Sequence, residues 1–354
     1  MPLTVLQVAY PFAPVGRGSV GGAEQILAAC DEAVVRAGCR SIVVACEGSQ
    51  AAGKLIPVRR APRADDPHAR AAVQANYRKA IDAAISGLGV DVVHCHGMDF
   101  DAYLPAEGVP VLVTLHLAPS LYEETALRAG RARTYFNCVS QTQHRSCPRM
   151  PNLLMPIVNG VDVERLRPDP AAQRKHALLL ARICPEKGIH LAIEAAKAAD
   201  VDLMIAGEVF PYADHERYFV GQIQPRLDDR RVFMGPLGFE AKREALQSAR
   251  CLLVASLIDE TSSLVAMEAL ACGTPVVALR RGALSEIIDD GVTGVLVDNA
   301  DEMARAMAKV ASLRAADCVS AARRRFSAAS MTHDYLDLYE RLAGSRQARR
   351  AASG

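Results

Sequence analysis

The 354-residue sequence contains no tryptophan, and aromatic residues make up only 5% of it. Acidic and basic side chains nearly cancel, at 40 against 41, so no net positive field points to nucleic acid as a partner. No uninterrupted apolar run approaches the roughly 20 residues that a membrane span needs. The N-terminal residues lack the charged and apolar regions of a signal peptide. We therefore expect a soluble protein that does not bind nucleic acid.

The ten cysteines are scattered singly along the chain, and no C-x-x-C pair occurs. Cys46 and Cys251 lie within apolar runs, where a free cysteine behaves as a small buried hydrophobic residue. Unpaired cysteines of this kind suit a reducing compartment. We predict a cytoplasmic protein.

Short apolar runs alternate with longer helical patterns along almost the whole chain. This alternation is typical of an α/β protein whose parallel sheet is covered on both faces. Helices are predicted at 22–37 and 69–86, among others. Strands are predicted at 4–10, 41–47, 55–60, 90–96, 110–116, 133–140 and 153–159, then at 177–183, 201–207, 231–234, 251–256, 275–279 and 294–298.

Polar, proline-bearing turns cluster at 159–176 and predict a linker between two doubly wound domains. The predicted domains are 1–163 on the N-terminal side and 164–330 on the C-terminal side. An amphipathic helix at 331–344 would dock back on the first domain, and a basic tail at 345–354 would be disordered.

The stretch PVGRGSVGGAEQ raises the question of a dinucleotide site, because it contains Gly16-x-Gly18-x-x-Gly21. Five residues with two prolines separate the preceding strand from Gly16, whereas a dinucleotide fold turns directly at the strand end. The loop instead predicts a lid ending in Gly21-Gly22, whose amides can meet a phosphate or a sugar. The alternative is a flexible surface loop with a glycine cap.

The stretch IDETSSLVAMEALACGTPVVAL, residues 258–279, places two acids beside a predicted helix start. Thr261 or Ser262 would cap this helix. Glu268 follows Glu260 by two helical turns, which corresponds to about 12 Å along the axis.

The helix amides between the two acids form a ready anion site. They belong to Ser262, Ser263 and Leu264. An acid, a diphosphate cradle and a second acid follow the order of a nucleotide-sugar, which carries sugar hydroxyls, a diphosphate and ribose hydroxyls. Acids beside a phosphate repel it unless each accepts hydroxyl hydrogen bonds. The alternative is a capping glutamate and a solvated helix glutamate.

Two cations are predicted near that anion site. Arg182 ends a buried strand and Lys187 precedes the following helix, so both project over the carboxyl ends of the strands, where open α/β sheets bind ligands. They can offset the charge of a diphosphate and stabilise one that departs. The alternative is a pair of surface basic residues at a turn.

Seven motifs occur in an order that resembles the family-four retaining glycosyltransferases of the GT-B fold. The resemblance covers nearly the whole chain and implies two facing Rossmann-like domains around an interdomain cleft. The motifs are GGAE (21–24), HCHG (94–97), TLH (114–116), NGVD (159–162), ARICPEKG (181–188), E-x7-E (260–268) and ACGTPVVAL (271–279).

The resemblance implies a hexosyltransferase that uses a nucleotide-sugar donor, with uridine as the commoner nucleoside, and a hydroxyl acceptor. It also implies retention of anomeric configuration without a metal or a cofactor. Glu260 and His116 would act at the donor sugar, and Glu268 would hold the ribose. The remaining assignments place Arg182, Lys187, Gly21, Gly22 and the amides of Ser262, Ser263 and Leu264 on the diphosphate, and the nucleobase near Leu237.

The sequence departs from the family pattern at two places. Ala181 stands where the family usually has glycine, so the backbone there approaches a phosphate less closely. Thr261, Ser262 and Ser263 follow Glu260 where glycines or aromatics are common, which leaves the sugar open.

Other interpretations remain open at this stage. His94, His96 and His116 end strands and could form a zinc site, although Cys95 points away and no fourth ligand is evident. Arg59, Arg60, Arg63 and Arg70 form either a solvated basic face or a contact for a lipid-linked acceptor at a membrane surface. The function could also be that of a sugar-nucleotide epimerase or a non-catalytic nucleotide-sugar-binding protein.

Overall fold

The computed structural model describes residues 2–16, 18–60, 66–128 and 130–352. The chain divides into two compact units. Unit 1 comprises Met1–Val158 and Ala329–Gly354, and unit 2 comprises Asn159–Ala328. Among the described residues, no helix combines the length and the apolar character needed to cross a membrane.

Unit 1 is built on a six-stranded parallel sheet with the strand order β3-β2-β1-β4-β5-β6. Its described strands are β1 (Thr4–Val8), β2 (Arg40–Cys46), β3 (Lys54–Val58), β4 (Val92–Cys95), β5 (Val111–Leu115) and β6 (Thr134–Cys138). The helices α1 (Gly22–Arg36), α2 (Pro67–Leu88) and α3 (Glu124–Leu127) lie between strands, and α4 (Gln141–Ser146) follows β6.

The central strands of unit 1 are apolar because helices cover both faces of a parallel sheet. All residues of β1, β4 and β5 are buried. Local signals set the bounds of α2: the Asp66 side chain accepts from the His68 amide, and Gly89 follows the helix at φ +67°. The strand order reverses between β1 and β4, so the segments that leave these strands diverge and open a crevice.

Unit 2 repeats this plan with the strand order β12-β11-β10-β7-β8-β9. Its described strands are β7 (His176–Leu180), β8 (Leu203–Ala206), β9 (Arg231–Phe233), β10 (Ala249–Val254), β11 (Val276–Leu279) and β12 (Gly294–Val297). The helices are α5 (Ile189–Ala198), α6 (Ala213–Tyr218), α7 (Phe239–Ser248), α8 (Leu264–Ala271), α9 (Leu284–Ile287), α10 (Ala300–Lys309) and α11 (Ala315–Arg325).

The strand order of unit 2 reverses between β7 and β10, which pair in parallel. At such a switch point the segments that follow the carboxyl ends of the two neighbouring strands run to opposite sides of the sheet. They leave a crevice in which a ligand can bind. The predicted site residues follow these two strands: Arg182 and Lys187 come after β7, and Glu260 comes after β10. The topology therefore brings them to one crevice.

The terminal helix α12 (Ala328–Ala352) begins in unit 2 and belongs to unit 1 from Ala329 onward. Tyr335 and Tyr339 are fully buried on it. The helix runs through most of the segment 345–354 for which the sequence predicted disorder. Alanine, arginine and glutamine dominate there and are strong helix formers, which explains the difference.

Two other elements differ from the prediction. Residues 153–159 form no strand and make only one bridge, Phe136 to Leu153, because Pro151 and Pro156 restrict ladder bonding. The segment 159–176, predicted as a linker, belongs to unit 2, where the Val161 amide donates to the Phe326 carbonyl at 2.8 Å.

Candidate functional site

Close backbone packing fixes the two segments that line the crevice of unit 2. The Leu257 amide donates to the Glu186 carbonyl at 2.8 Å, which joins the segment after β10 to the segment after β7. Gly188 allows this approach, because its φ is +57° and a Cβ there would overlap the Ala255 carbonyl.

The carboxylate of Glu260, in the segment after β10, is hydrogen-bonded to two side chains. Lys187 Nζ is 2.6 Å from Glu260 Oε1, and the Ser256 hydroxyl donates to the same oxygen. The Lys187 and Glu260 side chains are 19% and 11% exposed, so the pair is mostly shielded from water. Gly282, at φ +53°, packs against the Glu260 backbone where a side chain would not fit. Lys187 and Glu260 therefore form a mostly shielded ion pair in this structure.

Helix α8 begins later than predicted. Its cap is Ser263, without a side-chain cap bond, so the predicted capping by Thr261 or Ser262 is wrong. The Ser262 hydroxyl is buried and has no hydrogen-bond partner among the described residues. Leu264 is the first helical residue, and the unpaired amides of this first turn are a favourable anion site.

Glu268 lies one turn into α8, because the helix starts at Leu264 and not at Glu260. The predicted separation of about 12 Å assumed an unbroken helix between the two acids and does not apply. Lys242 Nζ on α7 is 2.5 Å from Glu268 Oε1, while Glu268 Oε2 is buried without a partner among the described residues. One oxygen of this carboxylate is thus paired and the other is available to a hydroxyl donor.

The sequence did not predict two residues of this site, Ser256, which donates to Glu260, and Lys242. Lys242 is a single lysine on an ordinary surface-type helix, and its side chain also lies 5.9 Å from the Phe239 ring. Only its position near Glu268, across 26 residues of chain, identifies it.

Of the two cations predicted near the anion site, Arg182 is more exposed than Lys187. Its side chain is 41% exposed, and its guanidinium is 4.0 Å from Glu186. Leu237 lies half-buried in the segment after β9. Its place near a nucleobase stays a prediction.

A second polar centre lies in unit 1, where His94 connects the sheet to α12. His94 Nδ1 is 2.6 Å from the Tyr339 hydroxyl, and Nε2 is 2.7 Å from Thr114 Oγ1. Thr114 donates to Asn137 Oδ1 at 2.7 Å. These buried groups satisfy one another across three strands and a helix.

His96 extends this chain to His116. His96 Nε2 is 3.1 Å from Gln7 Oε1, and its Nδ1 is 3.1 Å from His116 Nε2. Gln7 also donates from Nε2 to the Tyr339 hydroxyl at 3.3 Å. The predicted shared face of His94 and His96 is confirmed by ring centroids 3.9 Å apart.

Burial keeps the three histidines neutral. Desolvation lowers the pKa of His94 and His96 well below 6.5 and that of His116 to about 4. The Gln7 carbonyl only accepts, so His96 donates from Nε2 and accepts at Nδ1. His116 therefore carries its proton on Nε2, and its Nδ1 is the unprotonated nitrogen.

The predicted glycine pair lies at the start of α1. Gly21 precedes the helix and Gly22 begins it, as predicted. A Cβ on Gly21 would overlap the carboxylate of Glu24, which is buried in the first turn. This acid already interacts favourably with the helix dipole, so a phosphate there would meet a negative charge.

The basic run divides into separate parts. Arg70 is 3.2 Å from Asp99 and lies 4.8 Å from the Phe12 ring, so it belongs to a local packing arrangement. Arg59 and Arg60 are exposed, and Arg63 lies outside the described residues.

Two D-x-D sequences, the short acidic motif that could hold a divalent cation on a diphosphate, occur at residues 99–101 and 200–202. Asp99 accepts from Arg70, Gln74 and Tyr103, and Asp200 and Asp202 both pair with Arg230. Among the described residues, His94, His96 and His116 are not part of any metal-compatible cluster.

Two family models match the chain. Residues 174–312 match the model described as "Glycosyl transferases group 1", and residues 20–165 match the model described as "Glycosyltransferase Family 4". The first lies within unit 2, and the second covers most of the first segment of unit 1 and extends to residue 165 in unit 2. Together they span most of the described fold.

Curated relatives match shorter segments. An uncharacterized glycosyltransferase of Methanocaldococcus jannaschii is 25% identical over 227 residues, which is 60% of this chain and 63% of that protein. The D-inositol 3-phosphate glycosyltransferase of Geodermatophilus obscurus is 42% identical over 94 residues, 27% of this chain and 21% of that protein. The chain thus spans less than two thirds of the length of either relative.

Solved structures match over nearly the whole chain. A glycosyltransferase involved in avilamycin A biosynthesis is 23% identical, with a TM-score of 0.71 and coverage of 97% and 98% of the two chains. Sucrose-phosphate synthase from Thermosynechococcus elongatus is 20% identical, with a TM-score of 0.80 and coverage of 97% and 100%. Anabaena HepE in complex with UDP-glucose is 20% identical, with a TM-score of 0.73 and coverage of 95% and 99%. These likenesses confirm the predicted GT-B fold.

Proposed function

Because the chain belongs to the family-four glycosyltransferases, we propose that it transfers a hexose from a uridine diphosphate sugar to a hydroxyl acceptor with retention of configuration. The acceptor class is a saccharide, a lipid-linked sugar or a natural product. One structural neighbour was solved with UDP-glucose, which favours a nucleotide-sugar donor here.

The observation that carries the proposal is the convergence at the switch point of unit 2. The segment after β7 supplies Arg182 and Lys187, and the segment after β10 supplies Glu260 and the first turn of α8. Two cations and unpaired helix amides suit a diphosphate. The amides proposed to meet the diphosphate are those of Ser263 and Leu264 at the helix start and that of Ser262 just before the cap. Gly21 and Gly22 would add to them only with the Glu24 carboxylate turned away.

The two glutamates suit the hydroxyl groups on either side of that diphosphate. Glu268 Oε2 is buried and unpartnered among the described residues, so a ribose hydroxyl would satisfy it. Glu260 accepts from Lys187 and Ser256, and a sugar hydroxyl would use its remaining lone pairs. Lys187 is then shared between Glu260 and the diphosphate, and Leu237 lies in the segment proposed to meet the nucleobase.

The proposed chemistry stabilises the leaving diphosphate by charge. Arg182, Lys187 and the α8 amides offset the negative charge that develops as the glycosidic bond breaks, with no metal on the diphosphate. The acceptor hydroxyl attacks from the same face, and its proton passes to the departing phosphate. His116, neutral and with a fixed tautomer, positions the donor sugar or stabilises its positive charge. A cytoplasmic location, and contact of Arg59 and Arg60 with an anionic surface, stay predictions.

A ligand panel followed by a transfer assay tests this function. UDP and UDP-hexoses should raise the melting temperature more than guanosine or adenosine nucleotides, since a ligand that binds only the folded state stabilises it. Turnover of the bound UDP-hexose with a mixed pool of hydroxyl acceptors should yield UDP and a glycoside. Its new glycosidic bond should have the same anomeric configuration as the donor, because the proposed reaction retains configuration. Conversion of the donor without release of UDP would indicate an epimerase, and binding without turnover would indicate a non-catalytic protein.

A further inference from the structure

A cluster of metal-ligating side chains lies beside the crevice of unit 2 and has no role in the proposed transfer. It consists of Cys184, Glu186 and His215, whose donor atoms all lie within 4.8 Å of one another. We propose that these three residues bind one zinc ion. The inference does not depend on the proposed function.

Two elements bring the ligands together. Cys184 and Glu186 belong to the segment after β7. Cys184 precedes the tight turn Pro185–Lys187, Glu186 lies within it, and only Pro185 separates the two ligands. His215 lies on α6, which packs against that turn. The site therefore bridges a loop and a helix that are well separated along the chain.

The cluster leaves a buried group unsatisfied. His215 Nδ1 is buried and has no hydrogen-bond partner among the described residues. The ring is held by its neighbour Tyr212, whose centroid lies 5.2 Å away in an edge-on arrangement. A buried polar atom without a partner is uncommon in native proteins, and a metal ion is one way to satisfy it.

The donor set fits zinc. Zinc binds thiolate sulfur at about 2.3 Å and imidazole nitrogen or carboxylate oxygen at about 2.0–2.2 Å, which places donors of a tetrahedral site about 3.5 Å apart. The present donor atoms all lie within 4.8 Å of one another and would have to move closer together to reach that spacing. The Cys184 thiol loses its proton to solvent on binding, so thiolate and carboxylate together balance the ion's two positive charges. Three protein ligands leave the fourth position to water.

Zinc at this position would tie the segment that carries Arg182 and Lys187 to α6. Glu186 is 4.0 Å from the Arg182 guanidinium without metal, and it would turn from that cation to the ion. The ion is held by three protein side chains and a water, without a diphosphate oxygen, so it is distinct from a metal bound to a diphosphate.

The test is metal titration of the full chain after removal of bound metal with a chelator. Competition with a chromophoric chelator should give one zinc per chain. Cobalt in place of zinc should give the visible bands of a four-coordinate ion and a thiolate-to-cobalt charge-transfer band. Cys184→Ser should abolish that band, and Cys184→Ser or His215→Gln should weaken zinc binding by at least about 100-fold, beyond the cost of losing an outer hydrogen-bond partner of a ligand.

Matched controls keep the result interpretable. Cys318→Ser and His190→Gln change a buried cysteine and a half-buried histidine of the same unit outside the cluster, and should leave zinc affinity unchanged. If Cys184→Ser fails to fold, the half-buried Glu186→Gln supplies the ligand-loss variant. Binding below one equivalent, equal losses in the control variants, or a cobalt spectrum without the thiolate band would each overturn the proposal.

Discussion

The two units use one sheet topology to build polar centres of opposite chemistry. In unit 1, neutral histidines, Gln7 and Tyr339 of α12 form a hydrogen-bond chain that ends at His116. In unit 2, the polar groups of the candidate site form two lysine–glutamate pairs, Lys187–Glu260 and Lys242–Glu268.

The contrast shows two ways to keep polar groups in a mostly buried place. A neutral network needs every donor matched to an acceptor, so it fixes tautomers and geometry. An ion pair is less directional, and its partners can exchange contacts when a charged ligand arrives. Under the proposed function, the network of unit 1 would fix the orientation of His116, and the ion pairs of unit 2 would exchange contacts with a charged ligand.

The largest expected difference between the units is their response to acid. The pKa of each histidine of the network is lower in the folded state than its ordinary value of 6.5, so the unfolded chain binds more protons. The contribution of these histidines to the free energy of unfolding is therefore complete above pH 6.5. It falls as the pH decreases, by up to about 1.4 kcal/mol per pH unit for each histidine. For His116 this fall ends near pH 4.

Native-state hydrogen exchange, corrected for intrinsic rates, measures this difference at pH 7.0 and 5.5. Peptides from β1, β4 and β5 should lose more protection than peptides from β7 and β10. His176 and His190 of unit 2 also have lowered pKa values, but they are less buried and fewer. His116→Gln, which cannot titrate, should reduce the loss in unit 1. Equal losses in both units would contradict the comparison.

The next largest effect concerns the pair Lys242–Glu268. Lys242→Met removes the cation and leaves a carboxylate that is 5% exposed without its partner. The free energy of unfolding should fall by about 3–5 kcal/mol, as expected for a broken buried pair. Urea denaturation measures the change, and adding Glu268→Leu should restore most of the loss.

Lys197→Met is the control for that prediction. Lys197 is 3.6 Å from Asp228 in an exposed pair of the same unit, so its loss should cost at most about 1 kcal/mol. If the single and double variants at the buried pair were equally unstable, the pair would not be the cause.

Arg182→Ala should lower kcat for transfer by about 100-fold, comparable to the loss of one charge-stabilising donor in an active site. The side chain is 41% exposed, so the melting temperature should hardly change. Steady-state kinetics with a UDP-hexose measures the effect. Arg226→Ala, which breaks a surface pair with Glu194, should leave kcat unchanged. A wild-type rate for Arg182→Ala would remove this residue from the proposed mechanism.

The smallest effect is expected at Tyr339. Tyr339→Phe removes the hydroxyl that connects Gln7 to His94, which should cost about 1–3 kcal/mol of stability. Nitrogen-15 NMR of the imidazoles should also show a mixture of tautomers at His116, because Gln7 can then reorient. Tyr135→Phe, at a half-buried tyrosine of β6, should leave the tautomer unchanged. An unaltered His116 spectrum in Tyr339→Phe would show that the chain does not fix the tautomer.

The sequence predicted the sheets well because continuous apolar runs such as β5 have few alternatives to a buried parallel strand. It predicted Arg182, Lys187 and Glu260 at one edge because strand ends in such a sheet converge. The apolar run at 153–159 predicted a strand that does not form, because Pro151 and Pro156 restrict ladder bonding there.

Long-range partners could not be predicted from one sequence. Lys242 reaches Glu268 across 26 positions, and Tyr339 reaches His94 across 245. Nothing in the local pattern distinguishes these residues from an ordinary surface lysine or a core tyrosine. The start of α8 was misplaced because several hydroxyl residues in a row offer equivalent caps.

A crystal structure with a bound UDP-hexose tests the central claim most directly. The account predicts diphosphate oxygens within hydrogen-bond distance of Arg182 and of the first amides of α8, with the ribose on Glu268 and the hexose on Glu260. A nucleotide bound elsewhere, or a complex in which Arg182 and Glu260 point away from it, would contradict the account.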